Sequence, residues 1–409
     1  MASLFLVARL CDKVSDQMMG TICERVSPKR GKYWVYIMWG AIPFGVMAVL
    51  AYTTPAGWAY TAKLAWAAIT YNLLNMLYTF IIQPYASAAS IMTNDPDERT
   101  RLQSTRMTLA QAGGVVCAIM LPGLSGYLTN FMTLAQGYMV TTAIMAVVMV
   151  IILLWGSHQI VERIPVEPVS DENKPGFKAI IETVTTGPVF VMLLLFLGVY
   201  TISQISSTMG SYYIKYYADS EGLISMFSMM LMLPSVIGVP CVPYLTKKIK
   251  KKPTVILGLA FCAIGSLVVY MMPQGSGAIA GMMIGRAIVG FGYGILMGIL
   301  WSIVTDPIDY CNWKHGHRYA AITLTLTGLG LKFAMVIGGS LPNAMLTAAG
   351  YVANEQQSAE SLAMIRNLTG LLPFVVAIVT IIIFGAFYKL NEEGLAQMQK
   401  EIAERDGVQ

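Results

Sequence analysis

Apolar runs close to the length that crosses a lipid bilayer recur along this 409-residue chain and leave little room for any other architecture. A helix rises about 1.5 Å per residue, so about 20 apolar residues span the hydrocarbon layer. The runs fall near residues 1–22, 33–54, 64–92, 107–127, 137–156, 179–207, 222–245, 254–272, 278–304, 319–347 and 361–388. The first of them carries four charges; the other ten are nearly free of charge. Only 12% of the residues are charged and 56% are hydrophobic, against about 25% and about 45–50% in a soluble domain. Such a chain cannot clothe a water-soluble fold, which excludes a soluble enzyme, a disordered segment and a nucleic-acid binder. The net charge of +5 does not alter this, because the basic residues sit in short clusters between apolar runs. The six cysteines contain no CxxC pair, so neither a disulfide framework nor a metal centre is expected from them. No HExxH or GxSxG pattern occurs, and no enzymatic activity or cofactor is expected.

Lysine and arginine in the loops set the orientation. One set of connections, with the C-terminal tail, holds 20 of them, and the opposite set holds Lys63 and Lys215. The rich set is expected to be cytoplasmic, which makes the chain a multi-pass cell-membrane protein with its C-terminus inside. The polar, proline-bearing stretch 158–178 reads as a linker. The expected organisation is an N-terminal helical bundle over 1–156, a cytoplasmic linker over 157–178, a C-terminal bundle over 179–388 and a cytoplasmic tail over 389–409. Asp95-Pro96 and Asp306-Pro307 open corresponding loops in the two halves. Together with the basic loops 27–32 and 246–253, they suggest a six-plus-six helix plan with one helix absent in front. A true eleven-span chain is the alternative.

Arg9, Asp12, Lys13, Asp16 and Gly20 share one face of the first run, at helical spacing. Charges within a bilayer must pair or face water. Asp12 and Asp16, four apart, can aim two carboxylates at one point and hold a Na⁺ or share a proton. A salt-bridged face, or an amphipathic helix in the cytosol, is the competing reading.

At these residues the chain resembles the glycoside–pentoside–hexuronide:cation symporters, the melibiose-carrier branch of the major facilitator superfamily. The family pattern R-[IL]-W-D-A-x-x-D-P-x-M-G stands here as Arg9-Leu10-Cys11-Asp12-Lys13-Val14-Ser15-Asp16-Gln17-Met18-Met19-Gly20, followed by Lys29-Arg30-Gly31-Lys32. Asp306-Pro307-Ile308-Asp309-Tyr310, with Trp313, Lys314, Gly316 and Arg318, is similar to the family's D-x-x-D-Y-x-x-W-K-x-G-x-R. The resemblance implies an all-α integral membrane protein of the major facilitator fold, a 6+6 architecture with its first helix absent and about eleven spans in this chain. It implies symport of a sugar or glycoside with Na⁺ or H⁺, by alternating access, in a monomer. Carried over by position, Asp12 and Asp16 would bind the cation, with Lys332 facing them, and Arg9 would be their ion-pair neighbour at the substrate side. Tyr78, Thr79 and Arg106 would meet substrate. Asp306, Asp309 and Arg318 would form a charge network closing the cytoplasmic side. The sugar-binding carboxylates of the melibiose branch are not matched, since one falls on the absent helix and the other is Ile82, so galactoside recognition of that kind is not implied. Lys13, where the family usually has a small residue, could act as a built-in cation or snorkel to the bilayer edge.

Gly277, Gly281 and Gly285, and then Gly290, Gly294 and Gly298, repeat every four residues and read as close helix packing. Arg286, within the same run, must face protein or water, with no partner evident. Pro84, Pro188, Pro234, Pro240 and Pro373 read as interruptions of spans. Beside Pro84, freed carbonyls and Gln83 could face substrate. Trp301 and Trp313 are candidate ring-stacking groups, with anchoring at the membrane interface as the alternative. Two other functions fit the composition: a carrier of an amphipathic solute such as a lysolipid, and a truncated membrane protein that transports nothing.

Overall fold

The computed structural model describes residues 34–53, 57–92, 96–160, 177–315, 320–352, 355–390 and 392–405. Among these, ten helices are long and apolar enough to cross a membrane. They coincide with ten of the eleven expected runs; the run at 1–22 lies outside the described residues. Their outer surfaces carry large apolar side chains such as Trp39, Trp155, Ile237 and Phe333, the surface a lipid environment requires. The chain divides into two compact units, residues 1–99 with 116–174, and residues 100–115 with 175–409.

In the first unit, α1 (Trp34–Ala51) packs against α2 (Tyr60–Met92) and α4 (Leu134–Gln159), with α3 (Pro96–Leu128) between the last two in sequence. α1 buries one face: Tyr36, Ile37, Gly40, Ala41 and Gly45. Two of these are glycines for a steric reason. A Cβ at Gly40 would come within 2.7 Å of Ile81 on α2, and one at Gly45 within 2.6 Å of Val150 on α4. α4 starts at a capping box, in which Thr133 and Gln136 exchange side-chain and backbone hydrogen bonds. α2 runs unbroken through Pro84, so the expected interruption there is a missing N–H within a continuous helix.

The second unit contains α5 (Phe177–Thr185), α6 (Gly187–Tyr212), α7 (Ile224–Gly238), α8 (Val242–Ile249), α9 (Lys251–Met271), α10 (Ile279–Ile303), α11 (Thr305–His315), α12 (Ala320–Ala348), α13 (Ala359–Arg366), α14 (Leu372–Phe387) and α15 (Glu392–Arg405). α10 is the most enclosed of these, wedged between α9 and α7. Glycines set both seams. Toward α9, a Cβ at Gly292 would stand 2.6 Å from the Gly258 carbonyl, and one at Gly285 would stand 3.0 Å from that of Gly265. Toward α7 and the turn after it, Gly290, Gly294 and Gly298 lie against the backbone of Leu231, Ser235 and Val239. The packing reading of the glycine repeats therefore holds, with one exception: Gly277 faces open space.

The prolines bear out the expected interruptions only in part. Pro188 sits in the first turn of α6, where the missing N–H has no helical acceptor, whereas Pro373 lies inside the continuous helical span Ala359–Phe387, just after a π-helical turn, and removes a backbone donor there. Pro240 belongs to a tight 3₁₀ turn, Val239–Cys241, and Pro234 lies within α7. The helices also deviate at two π-helical turns, Tyr213–Tyr217 after α6 and Asn367–Leu371, which joins α13 to α14 just ahead of Pro373.

In lipid, helices gain little from hydrophobicity by meeting one another, so close backbone approach supplies much of the attraction. Gly292→Ala is expected to destabilise the protein by about 1–3 kcal/mol through overpacking. Gly339→Ala, whose Cβ would meet nothing within 4 Å, is expected to be neutral or to gain up to about 1 kcal/mol from helix propensity. Thermal unfolding in detergent checks the pair, and equal melting would refute the packing account.

Candidate functional site

Two polar constellations stand out in the second unit. The first lies at the lysine-rich end of the helices and centres on Asp306, in the first turn of α11. Its side chain is 7% exposed and makes an ion pair with Lys251 Nζ at 2.8 Å. The Tyr388 hydroxyl donates to its other oxygen at 3.0 Å. The next lysine does different work. Lys252 Nζ donates to the carbonyls of Gly385, at 2.9 Å, and Tyr388, at 2.6 Å. It thereby satisfies the C-terminal end of α14, where carbonyls lack helical partners and the helix dipole is negative. Adjacent lysines at the start of α9 thus tie together α9, α11 and α14.

The outward side of α11 receives the tail helix α15. Gln399 donates to Asp309 at 3.1 Å, Arg405 donates to the carbonyl and side-chain oxygens of Asn312 at 2.9 and 3.0 Å, and Trp313 Nε1 donates to Glu401 at 2.5 Å. Leu395 is buried beneath the tail and Met398 packs beside it. The Asp306–Trp313 motif is therefore both an internal ion-pair site and a docking plate for the tail.

The second constellation runs along the seam between α6 and α10. Phe196 stacks edge-on with Trp301, ring centres 5.4 Å apart, and leans on Tyr200 at 6.0 Å. The Tyr200 hydroxyl neighbours Trp301, Tyr293 and Arg106, and the Tyr293 hydroxyl meets Ser203. Arg106 comes from the stretch of α3 grouped with this unit, where Ser104 Oγ also donates to the Val239 carbonyl at 3.2 Å. Trp301 Nε1 is buried and faces the Tyr200 hydroxyl, with no other hydrogen-bond partner among the described residues. Hydroxyls, an indole N–H and aromatic faces are groups that suit a polyhydroxylated solute. Nearer the other end, Arg286 of α10 crosses the same seam and donates to the Ser206 carbonyl at 2.6 Å.

The residues singled out by sequence are distributed unevenly. Arg9, Asp12, Asp16 and Arg318 lie outside the described residues. Tyr78 is half exposed on α2, its ring 6.3 Å from Phe44, while Thr79 is buried. The two are adjacent on one helix, about 100° apart, and do not share a face. Gln83 lies further along α2, and Lys332 is exposed on α12. Asp306 and Asp309 fall on the same short helix but serve different partners, neither of which was expected. Lys251, Tyr388, Tyr200 and Tyr293 were not singled out. The Lys251 partnership had one sequence signal, an acidic residue and a lysine cluster assigned to the same side of the membrane.

The ion pair is asymmetric in exposure, since the Lys251 side chain is 24% exposed. Lys251→Met is expected to strand the Asp306 carboxylate and cost about 2–3 kcal/mol, discounted for solvent access. Asp306→Asn leaves a lysine able to reach water and is expected to cost about 1 kcal/mol. The double variant should recover part of the Lys251→Met loss in detergent melts. Strict additivity would show that the pair is not coupled.

The comparisons with known proteins agree with this architecture. A model of the family described as MFS/sugar transport protein matches residues 1–392. The isoprimeverose transporter of Lactiplantibacillus pentosus is 28% identical over 416 residues, covering 99% of this chain and 85% of its own. A glucuronide carrier protein homolog of Escherichia coli K12 is 26% identical over 414 residues, covering 100% and 88%. The crystal structure of FucP, a major facilitator superfamily transporter in the outward conformation, superposes with TM-score 0.59 at 13% identity, covering 93% of this chain and 89% of that one. A family match over nearly the whole length, on a bundle of membrane-length helices with the major facilitator fold, makes this chain a multi-pass membrane transporter, not an enzyme, and a member of the MFS/sugar transport protein family.

Proposed function

We propose that the protein is a secondary carrier that moves a sugar or glycoside together with a monovalent cation, Na⁺ or H⁺, by alternating access. The observation that carries this reading is the family match over residues 1–392. The relatives named for isoprimeverose and for a glucuronide support a glycoside as the solute class. The hydroxyl-and-aromatic seam between α6 and α10 supports it from the chemistry of this chain. Asp12, Asp16 and Lys332 are the proposed cation-site residues. Arg9, Gln83, Arg106 and one or other of Tyr78 and Thr79 are proposed substrate residues, and Tyr200, Tyr293 and Trp301 are further candidates within the second unit. Asp306, Asp309 and Arg318 belong to the network that governs opening at the lysine-rich end. By the distribution of basic residues, that end and the tail face the cytoplasm of a cell membrane, and the carrier works as a monomer.

Coupling needs no contact between cation and sugar beyond differential affinity for the inward and outward states. With both bound, the barrier to interconversion falls; with one alone, it does not. The ion gradient then drives accumulation.

Asp12→Asn and Asp16→Asn test the cation site in proteoliposomes loaded with an imposed Na⁺ or H⁺ gradient, with labelled glycosides as probes. Gradient-driven accumulation is expected to fall about 5–150-fold, the range of ordinary coupling energies, while sugar exchange without a gradient persists. Unchanged accumulation in both variants would remove these carboxylates from the cation site.

A further inference from the structure

One full charge is carried deep into the apolar interior of the second unit. Arg286 lies two turns from the start of α10 and is 3% exposed. One Nη2–H donates to the Ser206 carbonyl on α6 at 2.6 Å, and the guanidinium lies 4.9 Å from the centre of the Phe227 ring on α7. Nε is buried with no hydrogen-bond partner among the described residues. Among the described residues no carboxylate faces it; the ion pairs Lys215–Glu221 and Lys251–Asp306 belong to other parts of the unit.

A guanidinium has five N–H donors in a planar fork that matches the two oxygens of a carboxylate or sulfonate. Burying it without a counter-charge is strongly unfavourable. One carbonyl and one aromatic face return only part of that cost. If the role were to join α6 to α10, a glutamine or methionine would span the gap without the charge. The seat is nevertheless shaped for the guanidinium. Gly210, one turn beyond Ser206, leaves the space, and a Cβ there would stand 2.9 Å from Nη2. The π-helical turn Tyr213–Tyr217 begins just beyond, and such turns recur at functional sites. Tyr293 follows Arg286 by two turns on the same face of α10 and meets Ser203. A solute whose acid group lay on Arg286 would have hydroxyl partners farther along the seam.

We propose that Arg286 is the docking group for an acidic substituent of the transported solute, a carboxylate or a sulfonate, and that this carrier takes acid sugars in preference to neutral ones. The inference rests on the sugar-carrier reading above and narrows its substrate class. The Ser206 carbonyl and the Phe227 ring hold the guanidinium between turnovers, and the oxyanion displaces them. Bound, it supplies the missing counter-charge and neutralises α10 within the membrane interior.

The test uses the full-length carrier in detergent with two matched pairs of probes: methyl β-D-glucuronide against methyl β-D-glucoside, and sulfoquinovose against quinovose. Affinity is read from the ligand-induced rise in unfolding temperature. The acid member of at least one pair is expected to bind about 10–100-fold tighter than its neutral partner, and the pair that responds distinguishes carboxylate from sulfonate. Arg286→Met abolishes the difference, Arg286→Lys keeps its sign at reduced size, and Gly210→Ala, which crowds the guanidinium, weakens the acid member alone. A second readout separates this role from a structural one. Without ligand, Arg286→Met melts at or above the wild-type temperature, because an unpaired buried charge is gone; a helix-joining arginine would leave it melting lower. Binding of neutral sugars with no acid preference overturns the assignment and leaves the sugar carrier standing. No shift with any of the four probes and no uptake of any of them overturns the sugar reading, and this inference with it.

Discussion

Close approach of α10 to α9 on one side and to α7 on the other is the contact on which the second unit depends. Lipid tails are as apolar as leucine, so two helices meeting in a bilayer gain little by hiding hydrophobic surface. What they gain comes from dispersion between closely packed atoms, which falls off steeply with distance. Glycine at 285, 290, 292, 294 and 298 removes the atoms that would hold the backbones apart. One helix thus becomes the fixed rail along which Arg286, Tyr293 and Trp301 are displayed, and at its end the chain turns directly into α11 and Asp306. The chemistry of the seam and that of the lysine-rich end are both set by the placement of this rail.

The polar groups of the unit divide by what neutralises them. Asp306 is enclosed, yet it has a lysine and a tyrosine hydroxyl on its two oxygens. Lys252 is spent on the carbonyls that end α14. Farther out, Asp309, Asn312 and Trp313 bind the tail through side chains that remain in contact with water, where each hydrogen bond contributes little by itself. The gradient from a buried ion pair to solvated contacts runs along a single eleven-residue helix. It explains why the two aspartates of one motif, three residues apart, have unrelated partners.

Much of the fold is legible in the sequence because the bilayer imposes a one-dimensional rule: a membrane-length helix needs an apolar run, and ten such runs reappear as helices with nearly the expected limits. Partnerships are not legible in the same way. Five lysines crowd positions 247–252, and nothing in their order says that Lys251 turns toward a carboxylate while Lys252 turns toward a helix end. Proline misleads for a related reason. Its cost depends on whether its missing N–H would have had an acceptor, and at Pro188, in the first turn of α6, it would not. The π-helical turn at 213–217 has no proline or glycine signature and was invisible, while the one at 367–371 contains Gly370 and stands just before Pro373. Tyr78 and Thr79 were grouped because they are adjacent in sequence, the one relation that separates side chains on a helix.

The contrast between Lys251 and Arg286 carries the physical argument furthest. Both are cations held against protein, and the local medium strengthens any charge interaction at either place. Lys251 already has a carboxylate partner, so an arriving anion has little charge to neutralise there. Among the described residues Arg286 has only neutral partners, so its energy depends on what else is present. An anion arriving there changes the energy of the site more than a neutral molecule of the same shape, because it completes an electrostatic pair where a neutral molecule adds only hydrogen bonds. A cation that is costly alone and neutralised by its cargo makes the energy of the carrier depend on whether that cargo is acidic.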